Sequence, residues 1–372
     1  MPLHDIRRLS RATYRLGESP VWDVAGGRLL WCDILGQKIL ALNPATGDCQ
    51  AWSFPSAVGS FGLADSGRLV VALRKAVHLF DPASGALELL AEIEPDKPMT
   101  RCNDGKVGPD GAFWVGTMDD RPERAAIAAL YRVTAAGAVE RKIEGLRVSN
   151  GLAWGPDART LFHADSRGPW IDRWDFDADS GALSGRRRLA APDDSLGRPD
   201  GGATDVEGCY WSCGLSAGRL NRFAPDGRLL ESLAVPVTAP TMPCFGGTDG
   251  KTLFFTSLRE GVSADRLAEK RPQAFRAENR LTQSQSVGKS VTGWAIGCST
   301  ASVDPTRRTK SEDQSKSSVT SDARIVTRRS SRTYIERISL RIFSISLRNL
   351  SLVLRTPSTR SGTSGCMRTR RS

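Results

Sequence analysis

Two carboxylates and two carboxamides, Glu18, Asp200, Asn103 and Asn150, stand at one recurring place in this sequence. Glu18 lies nine residues before a turn glycine, Gly27, while Asn103, Asn150 and Asp200 lie eight before Gly111, Ala158 and Gly208. Gly59 and Met242 take the equivalent place before Gly67 and Gly250. Residues at one offset of a repeat share one position in its structure, so the four oxygen-bearing side chains should converge on a common axis. With no Lys beside them, two carboxylates aimed at one point repel unless a divalent cation lies between them. Carboxylate and amide oxygens suit Ca²⁺, Mg²⁺ or Mn²⁺, and carboxylate ligation also admits Zn²⁺. Singly, each residue has an ordinary explanation, since Pro-Asp-Gly, Asn-Gly and Asn-Asp-Gly form turns and Glu18 reads as a surface carboxylate. The shared offset, with a separate turn following each time, marks them as a site.

Arg101 precedes Asn103 by two residues, which puts both on one face of an extended strand and makes Arg101 a candidate for holding substrate oxygens. Asp119 and Asp120 of GTMDDRPER follow the next strand and fall at its rim. His78 and His163 lie within strand patterns and read as packed side chains. No GxSxG elbow occurs, so a Ser-His-Asp triad is not the expected chemistry.

The elements that must position these residues form a repeat. DVAGGRLLWCDI, ADSGRLVVAL, GPDGAFWVGTM, GPDARTLFHADS, DVEGCYWSCG and TDGKTLFFTS each join a small turn to an alternating strand, at steps of 40, 44, 47, 50 and 42 residues. That period is one four-stranded propeller blade, whose entry strand is innermost. The first five copies continue into a second hairpin, as in LFDPASGALELL, and the sixth does not. The predicted fold is therefore all-β: a six-bladed β-propeller over residues 1–268 with an incomplete sixth blade, then an irregular basic tail over 269–372. Of the last 102 residues, 32 are Ser or Thr and 20 are Lys or Arg, a composition that is disordered or frame-shifted, the frame being lost near 268–275. Such a truncation predicts an unpaired strand edge and poor closure.

The formal charge of +11 reflects this tail. Of 52 Lys and Arg and 41 Asp and Glu, 20 and 6 fall in residues 271–372, leaving 32 against 35, mildly acidic, in the rest. Nucleic-acid binding is thus confined to a disfavoured reading of the basic tail. The eight cysteines form no zinc-like pair of CxxC motifs and read as free thiols of a reducing compartment. The first residues have no apolar signal core and no stretch suits a membrane span, so the expected location is cytoplasmic.

LGESPVWD, RCNDGKVGPDGAFWVGTMD, VSNGLAWGPD, RPDGGATDVEGCYW and PTMPCFGGTDGKTLFFTS resemble, in order and spacing, the marker segments of the senescence-marker protein, gluconolactonase and regucalcin family. The resemblance covers residues 5 to about 268. It implies metal ligation by Glu18, Asn150 and Asp200 and substrate contact by Arg101 and Asn103. Asn103 therefore stands between the two roles. It also implies a substrate-contacting acid after the GTM segment, with Asp119, Asp120 and Glu123 available. The activity implied is hydrolysis of a sugar lactone to the sugar acid, the cation polarising the carbonyl and Asp200 activating water. The alternative is a non-catalytic calcium- or ligand-binding propeller of the regucalcin type.

Overall fold

All six turn positions named above adopt left-handed backbone, with φ of 57° at Gly27, 81° at Gly67, 73° at Gly111, 56° at Ala158, 77° at Gly208 and 68° at Gly250. Five are glycine because a Cβ disfavours that conformation. Ala158 bears the strain, and Ala158→Gly is expected to stabilise the fold by about 0.5–1 kcal/mol in a denaturant titration.

The structure, a computed structural model, describes residues 6–10, 12–269 and 293–295. After β1 (Ile6–Arg8) come β2 (Gly17–Asp23), β3 (Arg28–Asp33), β4 (Lys38–Leu42) and β5 (Cys49–Ser53), then β6 (Val58–Leu63), β7 (Leu69–Leu73), β8 (Ala76–Phe80) and β9 (Leu87–Glu92). The next eight are β10 (Thr100–Val107), β11 (Phe113–Asp119), β12 (Ala128–Val133), β13 (Val139–Leu146), β14 (Ser149–Trp154), β15 (Thr160–Asp165), β16 (Trp170–Asp177) and β17 (Ala182–Ala190). Last are β18 (Pro199–Thr204), β19 (Tyr210–Gly214), β20 (Arg219–Phe223), β21 (Leu229–Ala234), β22 (Pro240–Gly246), β23 (Thr252–Ser257), one short helix α1 (Ala264–Glu269) and β24 (Gly293–Ala295).

Strands β2 to β21 form five successive four-stranded antiparallel meanders, the blades of a β-propeller, and the first strands of neighbouring blades pack on one another. Hydrophobic clusters fill the space between sheets. Leu30, Ile39, Phe61 and Val71 join the first two, and Trp114, Leu130, Leu161 and Phe176 join the third and fourth.

The remaining sheet has the order β22-β23-β24-β1. It packs on the first blade through Trp22, stacked on Phe254 at 5.4 Å, within a cluster containing Leu29, Trp31 and Leu40. Thr241 Oγ1 also donates to Gly17 O at 2.6 Å, and Arg15 pairs with Glu260 at 3.0 Å. The expected bare edge on β23 is thereby corrected. Leu253, Phe254 and Phe255 pair with Gly293–Ala295, which in turn pair with β1. Both pairings are parallel, unlike every antiparallel pair in the five meanders. An edge offers free N–H and C=O groups that even three residues can satisfy. The rest of the proposed tail, with its frame-shifted and nucleic-acid readings, lies outside the described residues. Among the described residues, no helix is long and apolar enough to cross a membrane, and the six described cysteines are free.

Candidate metal centre

Every first strand carries a register shift at the offset singled out in the sequence: Glu18/Val21, Val58/Ser60, Cys102/Gly105, Asn150/Ala153, Pro199/Gly202 and Pro240/Pro243. A bulge leaves a residue unpaired and bends the strand, so it re-aims side chains away from the regular pleat. The residue after the site position is correspondingly left-handed in two blades, Ser19 at φ 47° and Gly151 at φ 68°. The two positions without oxygen donors have steric reasons. A Cβ on Gly59 would lie 2.7 Å from Cys102 O, and Met242 fills the space beside Gly201.

Glu18, Asn103, Asn150 and Asp200 are all buried. Three of them form a continuous chain with Arg101. Arg101 Nη1 donates to Asn103 Oδ1 at 3.1 Å, Asn103 Nδ2 to Asn150 Oδ1 at 3.0 Å, and Asn150 Nδ2 to Asp200 Oδ1 at 2.6 Å. Glu18 accepts one backbone bond, from Ser19 N at 2.9 Å. Burial, and then the charges of Asp200 and Asp104, hold the Glu18 carboxyl well above its usual pKa. Burial and Asp104 likewise raise that of Asp200, with Arg198 acting against them.

Sequence reasoning missed two members of this cluster, Asp104 and Lys106. Asp104 is buried on the same bulge as Asn103. Its Oδ2 accepts from Leu152 N at 3.0 Å, while its Oδ1 has no hydrogen-bond partner. Lys106 donates to Gly202 O at 2.6 Å and interacts with both Asp104 and Glu18. The expectation that no Lys accompanies the carboxylates is therefore overturned. Residues 104 and 106 are two apart on one strand and share a face, which was the available signal. Lys106 nevertheless acts on only two of the three buried carboxylates, Glu18 and Asp104, while Asp200 adds a further negative charge beside both. The orphaned Asp104 oxygen, the sparsely bonded Glu18 and the all-oxygen donor set fit a hard divalent cation.

A second acidic group, Asp205, Glu207 and Cys209, could also in principle hold an ion. Its chemistry is already accounted for. Asp205 accepts from the backbone N–H groups of Glu207 and Cys209, from Trp211 Nε1 and from Arg222 Nε.

At the rim the three candidate acids separate. Asp119 is fully buried, and hydrogen bonds from Arg121 and Ala125 depress its pKa, so it organises its own loop. Glu123 is exposed. Asp120 faces Arg101 at 3.1 Å and Arg74 at 2.7 Å, and is the acid that joins the chain leading to the centre. His163 is buried, bonded to Ser149 Oγ at 2.9 Å and edge-on to Trp170, and burial lowers its pKa to about 3. His78 is half-buried in β8. Both are packed, as their strand positions implied.

Fold and site together define a β-propeller with a buried carboxylate–carboxamide centre where its inner strands meet. The chain belongs to the SMP-30/gluconolactonase/LRE-like family, which it matches over residues 16–259. It is 40% identical over 256 residues to a 6-deoxy-6-sulfogluconolactonase of Pseudomonas putida, covering 68% of this chain and 87% of that one. It is 34% identical over 258 residues to regucalcin of Xenopus laevis, covering 68% and 86%. The calcium-binding protein regucalcin of Agrobacterium tumefaciens superposes with a TM-score of 0.68 at 30% identity, covering 73% of this chain and 91% of that structure.

Proposed function

We propose that the protein hydrolyses a sugar lactone to the corresponding aldonic acid, with one divalent cation held by Glu18, Asn150 and Asp200. The observation that carries this reading is the unbroken chain from Asp200 through Asn150 and Asn103 to Arg101, which links a cation-binding cluster to a guanidinium. When bound, the cation would polarise the lactone carbonyl and stabilise the negative charge that develops on its oxygen. Asp200 accepts the proton of the attacking water as general base. Water oxygen bonds to the carbonyl carbon, the ring C–O bond breaks, and the proton passes to the released ring oxygen, leaving a carboxylic acid and a hydroxyl. Arg101 and Asn103 orient the sugar oxygens.

The name of the Pseudomonas relative supports lactone hydrolysis. A purely calcium-binding role, which the regucalcin relatives suggest, gives no use to a nearly buried Arg101 beside the centre. The sixth sheet is assigned as the closing blade, and the free thiols support a reducing, cytoplasmic setting. Purified full-length protein, stripped of metal and given Ca²⁺, Mg²⁺, Mn²⁺ or Zn²⁺ in turn, is expected to hydrolyse aldonolactones with at least one ion. No hydrolysis with any of them would overturn the proposal.

A further inference from the structure

The loop after β11 gathers more positive charge than the chemistry at the carbonyl requires. Asp120 accepts from Arg101 Nε on one oxygen and from Arg74 Nη1 on the other. Arg124 donates through Nη1 to the carbonyl of Asp119, the adjacent residue, and its charge acts on Arg101. Asp119 cannot neutralise Arg124, because its carboxylate is held by the Arg121 guanidinium at 2.8 and 3.0 Å. Exposed Glu123 acts on Arg121 as well. Two guanidiniums therefore hold the Asp120 carboxylate at the end of the chain leading to Asp200, and a third, that of Arg124, acts on Arg101 without a carboxylate of its own among the described residues.

Their donors are largely unused. Each guanidinium has five N–H donors. Among the described residues, the side chain of Arg124 makes only the bond to Asp119 O and that of Arg74 only the bond to Asp120. Arg74 is 44% exposed and Arg124 partly so, which leaves both open to a solute. Arg124 also sits at φ 50°, a strained conformation for a side-chain-bearing residue. Arg147 Nη1 holds it there through the Arg124 carbonyl at 2.9 Å.

We infer that Arg74 and Arg124, with Arg101 between them and the centre, form a subsite for an oxyanion substituent, such as a sulfonate or phosphate, carried by the lactone away from its reacting carbonyl. Planar guanidiniums bind such groups through paired, charge-assisted hydrogen bonds. This deepens the lactonase reading and rests on it.

The test compares glucono-1,5-lactone with its 6-phosphate and its 6-deoxy-6-sulfonate on the full-length chain, each with the most active cation. At least one anionic lactone is expected to exceed the neutral one by about 10- to 100-fold in kcat/KM. That ratio should shrink as ionic strength rises. Arg124→Met and Arg74→Met should each lower the ratio severalfold, mainly through KM for the anionic lactone, and Arg124→Lys should recover part of it. The salt series on the parent chain needs no variant and survives a folding failure. Hydrolysis without preference for either anionic lactone overturns the subsite and leaves the lactonase reading intact. A preference that neither methionine variant reduces overturns the residue assignment. No hydrolysis of any lactone overturns the function itself.

Discussion

Asp200→Asn is expected to slow lactone hydrolysis by about 10²- to 10⁴-fold, the usual span for loss of a positioned general base. The substitution is nearly isosteric and keeps an oxygen to accept the 2.6 Å bond from Asn150 Nδ2, so the chain to Asn103 and Arg101 can persist. What disappears is the carboxylate that takes the proton and one of the negative charges that would hold the cation. The two losses separate in a cation titration. Weaker binding alone would be recovered at saturating cation, whereas loss of the base persists as a depressed kcat. The acidic limb of the parent's kcat profile, where Asp200 becomes protonated, should also vanish. A variant within about threefold of the parent at saturating cation would remove Asp200 from the base role.

The repeat made most of the blade architecture readable, because a glycine at each left-handed turn and a strand after it are both visible in composition and spacing. Five second hairpins also left their signature, with LFDPASGALELL folding as parts of β8 and β9. Glu18, Asn103, Asn150 and Asp200 were legible because each bulge falls at the same offset in its blade. Asp104 and Lys106 were not, since an offset samples one residue per repeat. At Cys102/Gly105 the bulge brings two consecutive residues, Asn103 and Asp104, into the buried cluster, and Lys106 follows on the same face. The division of labour among Asp119, Asp120 and Glu123 needed the loop conformation itself. β24 escaped detection for another reason. Three residues, Gly-Trp-Ala, carry no alternation, and their parallel pairing departs from the pattern of the repeat.

The second large effect concerns stability rather than rate. Glu18 and Asp200 both have raised pKa values in the metal-free fold, the former through burial, Asp200 and Asp104. For a carboxylate with a raised folded pKa, the stabilising contribution is complete below the unfolded value, near 4, and is lost as pH rises through the folded value. Glu18 and Asp200 therefore lower the melting temperature of the metal-free protein as pH is raised from about 4 towards neutrality, while buried neutral His163 acts the opposite way over the same range, so the effect is read as the difference between parent and variant. Glu18→Gln removes one of the clashing charges, so without cation at pH 7 the variant should melt about 2–6 °C above the parent, and this gap should close as pH is lowered towards 4. A divalent cation at 100 times its Kd should stabilise the parent by about 2.7 kcal/mol, but should leave the variant nearly unmoved because a charged ligand is gone. The order of stability consequently reverses between the two conditions. A merely structural Glu18 would give a variant that is weaker in both, and calorimetry of the four samples distinguishes these outcomes. Failure of Ca²⁺, Mg²⁺, Mn²⁺ and Zn²⁺ alike to shift the parent's melting would leave the excess of buried carboxylates without a counter-ion, and the cation assignment would have to be abandoned.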